Sequence, residues 1–323
     1  FIDFVLIFYY LTKKQLSYLT KPMEEKMIKK TKFRTLLIFS LFVLILSILI
    51  GCAAKKPFWG NPKTGLILMY KLSPEQVWKY STTTDLNQTM EMMNQSMESS
   101  VNTLMNYSIK QIGIDTAGNY ITRITIDTLS TKLKSPRGEK SFDFSSLIGK
   151  SVKFVVSPKG EQIELSNPDS VKIDLGPMAG GVRDAKTFFQ NILPELPPNP
   201  IKIGESWTSE KSKKEPRSGM EININSKTTS TLKGFENING MDCLKIVSQT
   251  TGTLEGSGEQ MGRQMDIEGD IDGSSTWYFA YKKGIFVKMS SEQSIESTIT
   301  VSGQANMTIP MTQEIKIEIK LLH

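Results

Sequence analysis

The chain has 323 residues, with 39 Lys/Arg against 33 Asp/Glu, two cysteines and a single histidine, His323. One imidazole at the last position excludes Ser-His-Asp, Cys-His and His-based metal catalysis, because each needs an imidazole held on a rigid element. Residues 1–51 carry eight of the Lys/Arg and three of the Asp/Glu, which leaves 31 basic and 30 acidic side chains beyond them. Most of the formal +6 therefore belongs to the N-terminal stretch and gives no basis for nucleic-acid binding.

Residues 1–26 begin at Phe1 and hold an apolar patch too short to span a membrane. A mis-extended start is the expected explanation, with Met23 or Met27 as the true first residue. From Met27 the pattern changes: Lys29, Lys30, Lys32 and Arg34 precede an apolar run from Leu36 to Ile50. That run is about fifteen residues, short of the roughly 20 that a spanning helix needs, so it reads as a cleaved signal rather than an anchor. Leu49-Ile50-Gly51-Cys52 then resembles the lipobox of bacterial lipoproteins. The resemblance implies a signal peptide over 27–51, cleavage after Gly51, and a membrane partner reached through diacylglycerol on Cys52. Acyl chains contribute about 0.8 kcal/mol per buried CH₂, so such an anchor would be nearly permanent. With Ala53 next and no acidic run in Ala53-Ala54-Lys55-Lys56, the resemblance further implies the outer membrane, facing the periplasm.

Residues 52–65, with Lys55, Lys56, Pro57, Gly60 and Pro62, read as a short tether. Beyond them the sequence alternates with period two, as in Tyr120–Ile126, Ser151–Val156 and Glu314–Lys320, which predicts strands. Turns are marked by Ala117-Gly118-Asn119, Pro158-Lys159-Gly160, Asn239-Gly240 and Lys282-Lys283-Gly284. The expected fold is mostly β: long antiparallel hairpins in two related halves, 66–175 and 201–323, that form curved sheets. Three landmarks repeat in order. Leu72…Trp78 matches Ile201…Trp207, Gly113…Gly118…Arg123-Ile124 matches Gly234…Gly240…Lys245-Ile246, and Gly149–Gly160 aligns without gaps on Gly273–Gly284. Between the halves, 176–200 carries Val182, Ala185, Phe188, Phe189, Ile192 and Leu193 at helical spacing before Pro194, which predicts one amphipathic helix that lays its apolar face on a sheet.

Methionines cluster at Met90, Met92, Met93, Met97 and Met105, and again at Met261 and Met265. Thioethers suit Cu(I), but no histidine or cysteine pair assists them; strand packing and an adaptable lining for an apolar ligand remain as readings. Asp266, Glu268, Asp270 and Asp272 mimic a calcium loop yet leave Phe279 where a bidentate carboxylate is required. Alternation places these acids on one strand face and Met265, Ile267 and Ile271 on the other. Glu75, Asp115, Glu205 and Glu236 sit at turns or strand ends, with no sign that two of them meet as a hydrolase pair. Cys243 reads as a buried, inert thiol, and Trp78, Trp207 and Trp277 as core or cavity wall.

A lipobox, a tether, two β-rich halves and a linking amphipathic helix look like the β-rich bacterial lipoproteins whose domain has no assigned function. In architecture they are distantly similar to LolA/LolB-type lipoprotein carriers, where a strongly curved antiparallel sheet is closed by helices around an apolar cavity. The resemblance implies a non-enzymatic lipoprotein that binds lipid or acyl chains, with no cofactor, no metal and no nucleic acid. The residues expected to line the apolar site are Met90, Met92, Val182, Phe189 and Ile192. The alternative is an envelope structural or protein-interaction module with a filled core.

Overall fold

The computed structural model describes residues 59–323 except 93–94, 137, 167–171, 175–181, 185, 187–188, 191, 218–219, 261–262, 304–305 and 323. Gly51 and Cys52 lie outside the described residues. The chain opens with a small hairpin, β1 (Gly60–Asn61) and β2 (Gly65–Leu66), so part of the stretch read as tether is folded. Trp59 packs edge-on against Tyr281 at 6.2 Å.

The first half is a meander of β3 (Val77–Met92), β4 (Gln95–Ile114), β5 (Tyr120–Ser135), β6 (Gly138–Ser141), β7 (Ser151–Val156) and β8 (Gln162–Ser166). A short hairpin follows, β9 (Lys172–Asp174) with β10 (Val182–Asp184). The second half is a longer meander: β11 (Ser206–Arg217), β12 (Met220–Ile238), β13 (Met241–Gln260), β14 (Arg263–Ala280), β15 (Ile285–Ser302) and β16 (Met307–Leu322). Twelve strands form one antiparallel sheet in the order β11-β12-β13-β14-β15-β16-β3-β4-β5-β7-β8, with β6 on β5. The two meanders are joined where β16 pairs with β3, Met311 facing Met90 and Leu322 facing Lys79.

The repeat read from sequence falls at equivalent places. Trp78 and Trp207 each sit one residue into the first long strand of their half. Register shifts occur between Gln111 and Gly113 in β4 and between Leu232 and Gly234 in β12. Asn239 (φ 50°) and Gly240 (φ 75°) take the paired positive φ of the tight hairpin turn their dipeptide predicts.

The core lies at one end of the sheet, against one face. Two segments without long strands cover it there. Residues 66–72 run extended and bury Leu66, Leu68, Tyr70 and Leu72 in alternation, while 189–201 buries Phe189, Ile192, Leu193, Leu196 and Ile201. Both join one buried cluster with Trp78, Tyr80, Tyr107, Phe154, Trp277, Phe279 and Phe286. The equivalent turns of the two halves hold the first segment: the Tyr70 amide donates to Pro158 O and the Lys71 amide to Gly284 O, both at 2.8 Å. The second segment is tied to both margins of the sheet. Leu196 N donates to Lys159 O at 2.8 Å, the Lys159 ammonium donates to Leu68 O and Pro197 O, and the Trp207 indole donates to Glu195 O.

The predicted helix is not formed. Val182–Asp184 is extended and pairs with Asp174–Lys172, and among the described residues 3₁₀ geometry appears at Lys186 and Phe189; Ala185 and Phe188 lie outside the described residues. The helical spacing of Phe189, Ile192 and Leu193 is instead used by an irregular chain that drops each into the core. A candidate helix entered through Gly180-Gly181 and stopped at Pro194 is at the length where nucleation is barely recovered, so tertiary burial decides.

Candidate functional site

The ladder registers sort every long-strand side chain onto one of two faces, because successive residues alternate. The face that carries the core is called inner here. Over residues 220–232, 246–258, 265–277, 289–301, 307–321, 78–92, 95–109 and 124–135, every residue on the inner rows is uncharged. Asp85, Glu221, Lys227, Glu255, Asp270, Glu292, Lys316 and Glu318 all point the other way by the same registers. Asp127 stands at a bulge and is bonded by Ser108, which is on the outer face. Eight adjacent strands thus share a broad surface free of charge.

This face is layered along the strands. Nearest the core the row runs Leu232, Ile246, Trp277, Met289, Ile319. The next row is hydroxylic: Ser230, Ser248, Ser275 and Ser291 on one side of Ile317, and Thr84, Thr103 and Thr131 on the other. Ser230 and Ser248 are 2.8 Å apart, the Trp277 indole donates to Ser248 Oγ at 2.9 Å, and Thr103 meets Thr131 at 3.1 Å. Farther out the rows become apolar. Ile222, Leu254, Ile267 and Ile271 form a second buried cluster, with Met220, Ile224, Ile295, Ile299 and Met311 packed on it.

Glycines on inner rows let this cluster close. A Cβ on Gly256 would stand 3.0 Å from the side chains of both Ile222 and Ile267, and one on Gly269 would stand 2.6 Å from Ser297 Cβ. Side chains of alternate strands therefore meet across a bare strand, which draws the face into a concave strip. The far rim is methionine-rich. Met311, Met90 and Met97 face one another across β16, β3 and β4, and Met220, Met265 and Met307 lie on the same end of the face. Alternation within one strand could place Met90 inward, but Met311 and Met307 join it only through the β16–β3 pairing.

The five residues expected to line one apolar site are not brought together. Met90 and Met92 lie on the inner rows at the far rim, half-buried. Phe189 and Ile192 are buried in the core at the other end, Phe189 edge-on to Tyr107 at 5.8 Å. Tyr107 faces Tyr80, and the ten residues from Tyr80 to Met90 span roughly 33 Å of strand. Val182 pairs with Asp174 in the β9–β10 hairpin. The ends were conflated because helical spacing in 182–193 suggested a lid over the sheet, whereas 189–201 is part of the core.

Other candidates are occupied locally. Asp115 accepts from the Ala117 and Asn119 amides and the Asn119 side chain, which holds its carboxyl below the ordinary value. Glu205 accepts from the Lys202 amide, and Glu236 lies 3.7 Å from Lys245. Cys243 is fully buried, and burial pushes its thiol up to about 11, so it is no nucleophile at neutral pH. Among the described residues no three His, Cys, Asp or Glu converge to hold a metal ion. The acids of β14 face outward as alternation predicts, with Glu268 opposite Glu255 and Asp270 opposite Glu296, in an open cleft of about 520 Å³ that Thr298 and Thr312 also line.

No protein-family model matches the chain, and no curated protein matches it. Among solved structures it is similar to Pseudomonas aeruginosa OccK2 (OpdF), at 4% identity over 77% of this chain and 99% of that one, with a TM-score of 0.23. P. aeruginosa OccK9 (OpdG) gives 9% identity over 78% and 100%, with a TM-score of 0.22. A DUF1329 family protein from Desulfovibrio piger gives 8% identity over 75% and 85%, with a TM-score of 0.14. The chain is a β protein in which eight adjacent strands of a twelve-stranded sheet present one uncharged face.

Proposed function

We propose that this chain is a non-enzymatic bacterial lipoprotein, anchored in the cell envelope through Cys52, that holds lipid or acyl chains on the inner face of its sheet. The observation that carries this reading is the absence of charge from the inner rows of eight adjacent strands, combined with an apolar strip at their far end. A face meant only for water would lower its cost by carrying charged residues, as the outer face does. Methionines at the rim suit flexible chains, since thioether side chains re-pack around varied shapes. The lipobox-like Leu49–Cys52 supports an envelope location near lipid.

The test uses the full chain in a lipidation-competent bacterial host. A photo-crosslinking residue is placed at Ile295 or Met311 on the inner face, and at Thr312 or Glu314 on the outer face. Lipid adducts at the inner positions alone are expected. Equal adducts on both faces, or none, refute ligand binding and move the reading to a protein-interaction module, for which the acidic outer cleft is the surface. Cys52→Ala is expected to leave the membrane fraction and lose its acyl mass; unchanged attachment refutes the anchor.

A further inference from the structure

Resting on the Cys52 anchor of that reading, we infer that the core end of the sheet docks on the anchoring membrane, where a cationic band on the outer face of β3, β4, β5 and β7 meets anionic phospholipid head groups. Lys110, Arg123 and Lys153 are direct partners on three adjacent strands, and Val77 continues their row on β3. Lys79 stands two residues further along the same face, with Leu322 opposite it. The acids at this end are engaged locally: Glu164 with Lys153 at 3.1 Å, Glu318 with Lys320 at 2.7 Å, Glu236 with Lys245, and Asp242 with Lys282. Glu75 and Glu161 remain, exposed in the turns. Among the described residues Lys79, Lys110 and Arg123 form no ion pair, and all three are exposed. Like charges directly opposite on neighbouring strands are destabilising, and the chain keeps Lys110 against Arg123 without relieving them.

Two further observations favour a membrane surface as the occupant. Exposed apolar side chains gather at the same end of the sheet: Val77, Ile112, Ile114, Ile203, Phe235 and Leu322 are between 40% and 58% exposed. Cations fringed by apolar side chains suit a surface that is anionic at its head groups and apolar beneath them. The second observation is the short tether. Seven residues separate Cys52 from Trp59, at most roughly 25 Å of extended chain, and Trp59 packs on Tyr281 just after β14 ends at Ala280. An acylated Cys52 therefore holds the core end beside the head groups. Toward the far end the outer face reverses sign, with Glu255 opposite Glu268 and Asp270 opposite Glu296, which an anionic surface repels. The sheet then stands up from its membrane, and the methionine rim of the inner face points away. The competing explanation is solubility alone, for which either sign of charge serves at either end.

The experiment takes the full chain as the lipidation-competent host makes it, reconstituted in vesicles of phosphatidylcholine alone or of phosphatidylcholine mixed with phosphatidylglycerol. The photo-crosslinking residue is placed at Val77 or, as the distant control on the same face, at Thr298. Lipid adducts are expected at Val77 and not at Thr298. Their yield should be roughly five- to thirtyfold higher on the anionic vesicles, the effect of one or two cations near such a surface, and the excess should vanish in about 1 M salt. The double variant Lys110→Gln with Arg123→Gln is expected to lose the excess, and Lys110→Arg to keep it. Both substituted side chains are exposed, and removing facing like charges unburdens the sheet. Equal yields on the two kinds of vesicle, equal yields at Val77 and Thr298, or an unchanged double variant overturns the docking face, while acyl mass on Cys52 in the same sample leaves the anchor standing. Val77 adducts to protein in place of lipid, in the intact host, overturn the membrane as occupant. Absence of acyl mass on Cys52 overturns both the docking face and the anchor.

Discussion

Gly269 offers a direct test of how the inner face becomes concave. In Gly269→Ala the new Cβ would lie 2.4 Å from Glu296 O, 2.6 Å from Ser297 Cβ and 2.8 Å from Ser297 Cα. Two of these three atoms are backbone and cannot rotate away, so β14 and β15 must separate. Forcing a methyl into such a space costs about 1–3 kcal/mol, while losing a glycine from the unfolded chain returns about 0.4–1 kcal/mol. The net expectation is a loss of about 1–2 kcal/mol. Gly113→Ala is the control, because its Cβ would meet only Ile121 side-chain atoms at 3.7 and 3.9 Å, and it should gain about 0.5 kcal/mol through the same entropic effect. Urea titrations of the two variants against the parent protein, followed by circular dichroism, read these differences as opposite shifts of the midpoint. Equal shifts, or a stabilised Gly269→Ala, would refute the argument that glycine is placed there for close approach.

Four further outcomes follow from contacts already described. Lys159→Met keeps the aliphatic stem but removes the ammonium from Leu68 O and Pro197 O; a loss of about 1.5–3 kcal/mol is expected in the same titration. Cys243 should resist alkylation at pH 8 until the protein is unfolded, with labelling followed by intact mass, and fast labelling of native protein would contradict its burial. Glu268→Lys should raise the urea midpoint at low salt by relieving the facing Glu255, with the gain fading in 1 M salt, for a benefit of about 0.2–1 kcal/mol. Asp115 has its carboxyl held low, chiefly by the Asn119 side chain and amide. Its contribution is therefore fully present above the unfolded value and is lost as pH falls through the lower folded value. The stability gap between parent and Asp115→Ala should be constant above about pH 4 and shrink below it.

Much of the fold was legible because the β signal is local. Period-two alternation in Glu314–Lys320 and the Asn239-Gly240 turn each report on a few adjacent residues, and the structure places them as strand and hairpin. The repeat landmarks were legible for the same reason. The helix over Val182–Leu193 was not, since a spacing of apolar residues states only that they are buried, and both a helix and an irregular segment satisfy it. The candidate site was half legible. Met90 and Met92 were correctly tied to a sheet face, and the outward turn of Asp266–Asp272 was readable from alternation alone. What stayed hidden was the company those residues keep: Met311 beside Met90, and the shared absence of charge across eight strands, depend on strand order, which no local pattern encodes.

The pairing of β16 with β3 also sets an order of events. Gln313 donates to Gln88 across a separation of 225 residues, and that contact lies near the middle of the finished sheet. During synthesis the two meanders can assemble from neighbouring hairpins, but the seam between them has to wait for β16, which is made long after β3. Closing so long a loop is slow in β proteins, and until it closes two long strand edges stand open to foreign strands. A chain stalled or clipped before residue 307 would keep both halves and lose their join, so the seam acts as a check that β16 has arrived.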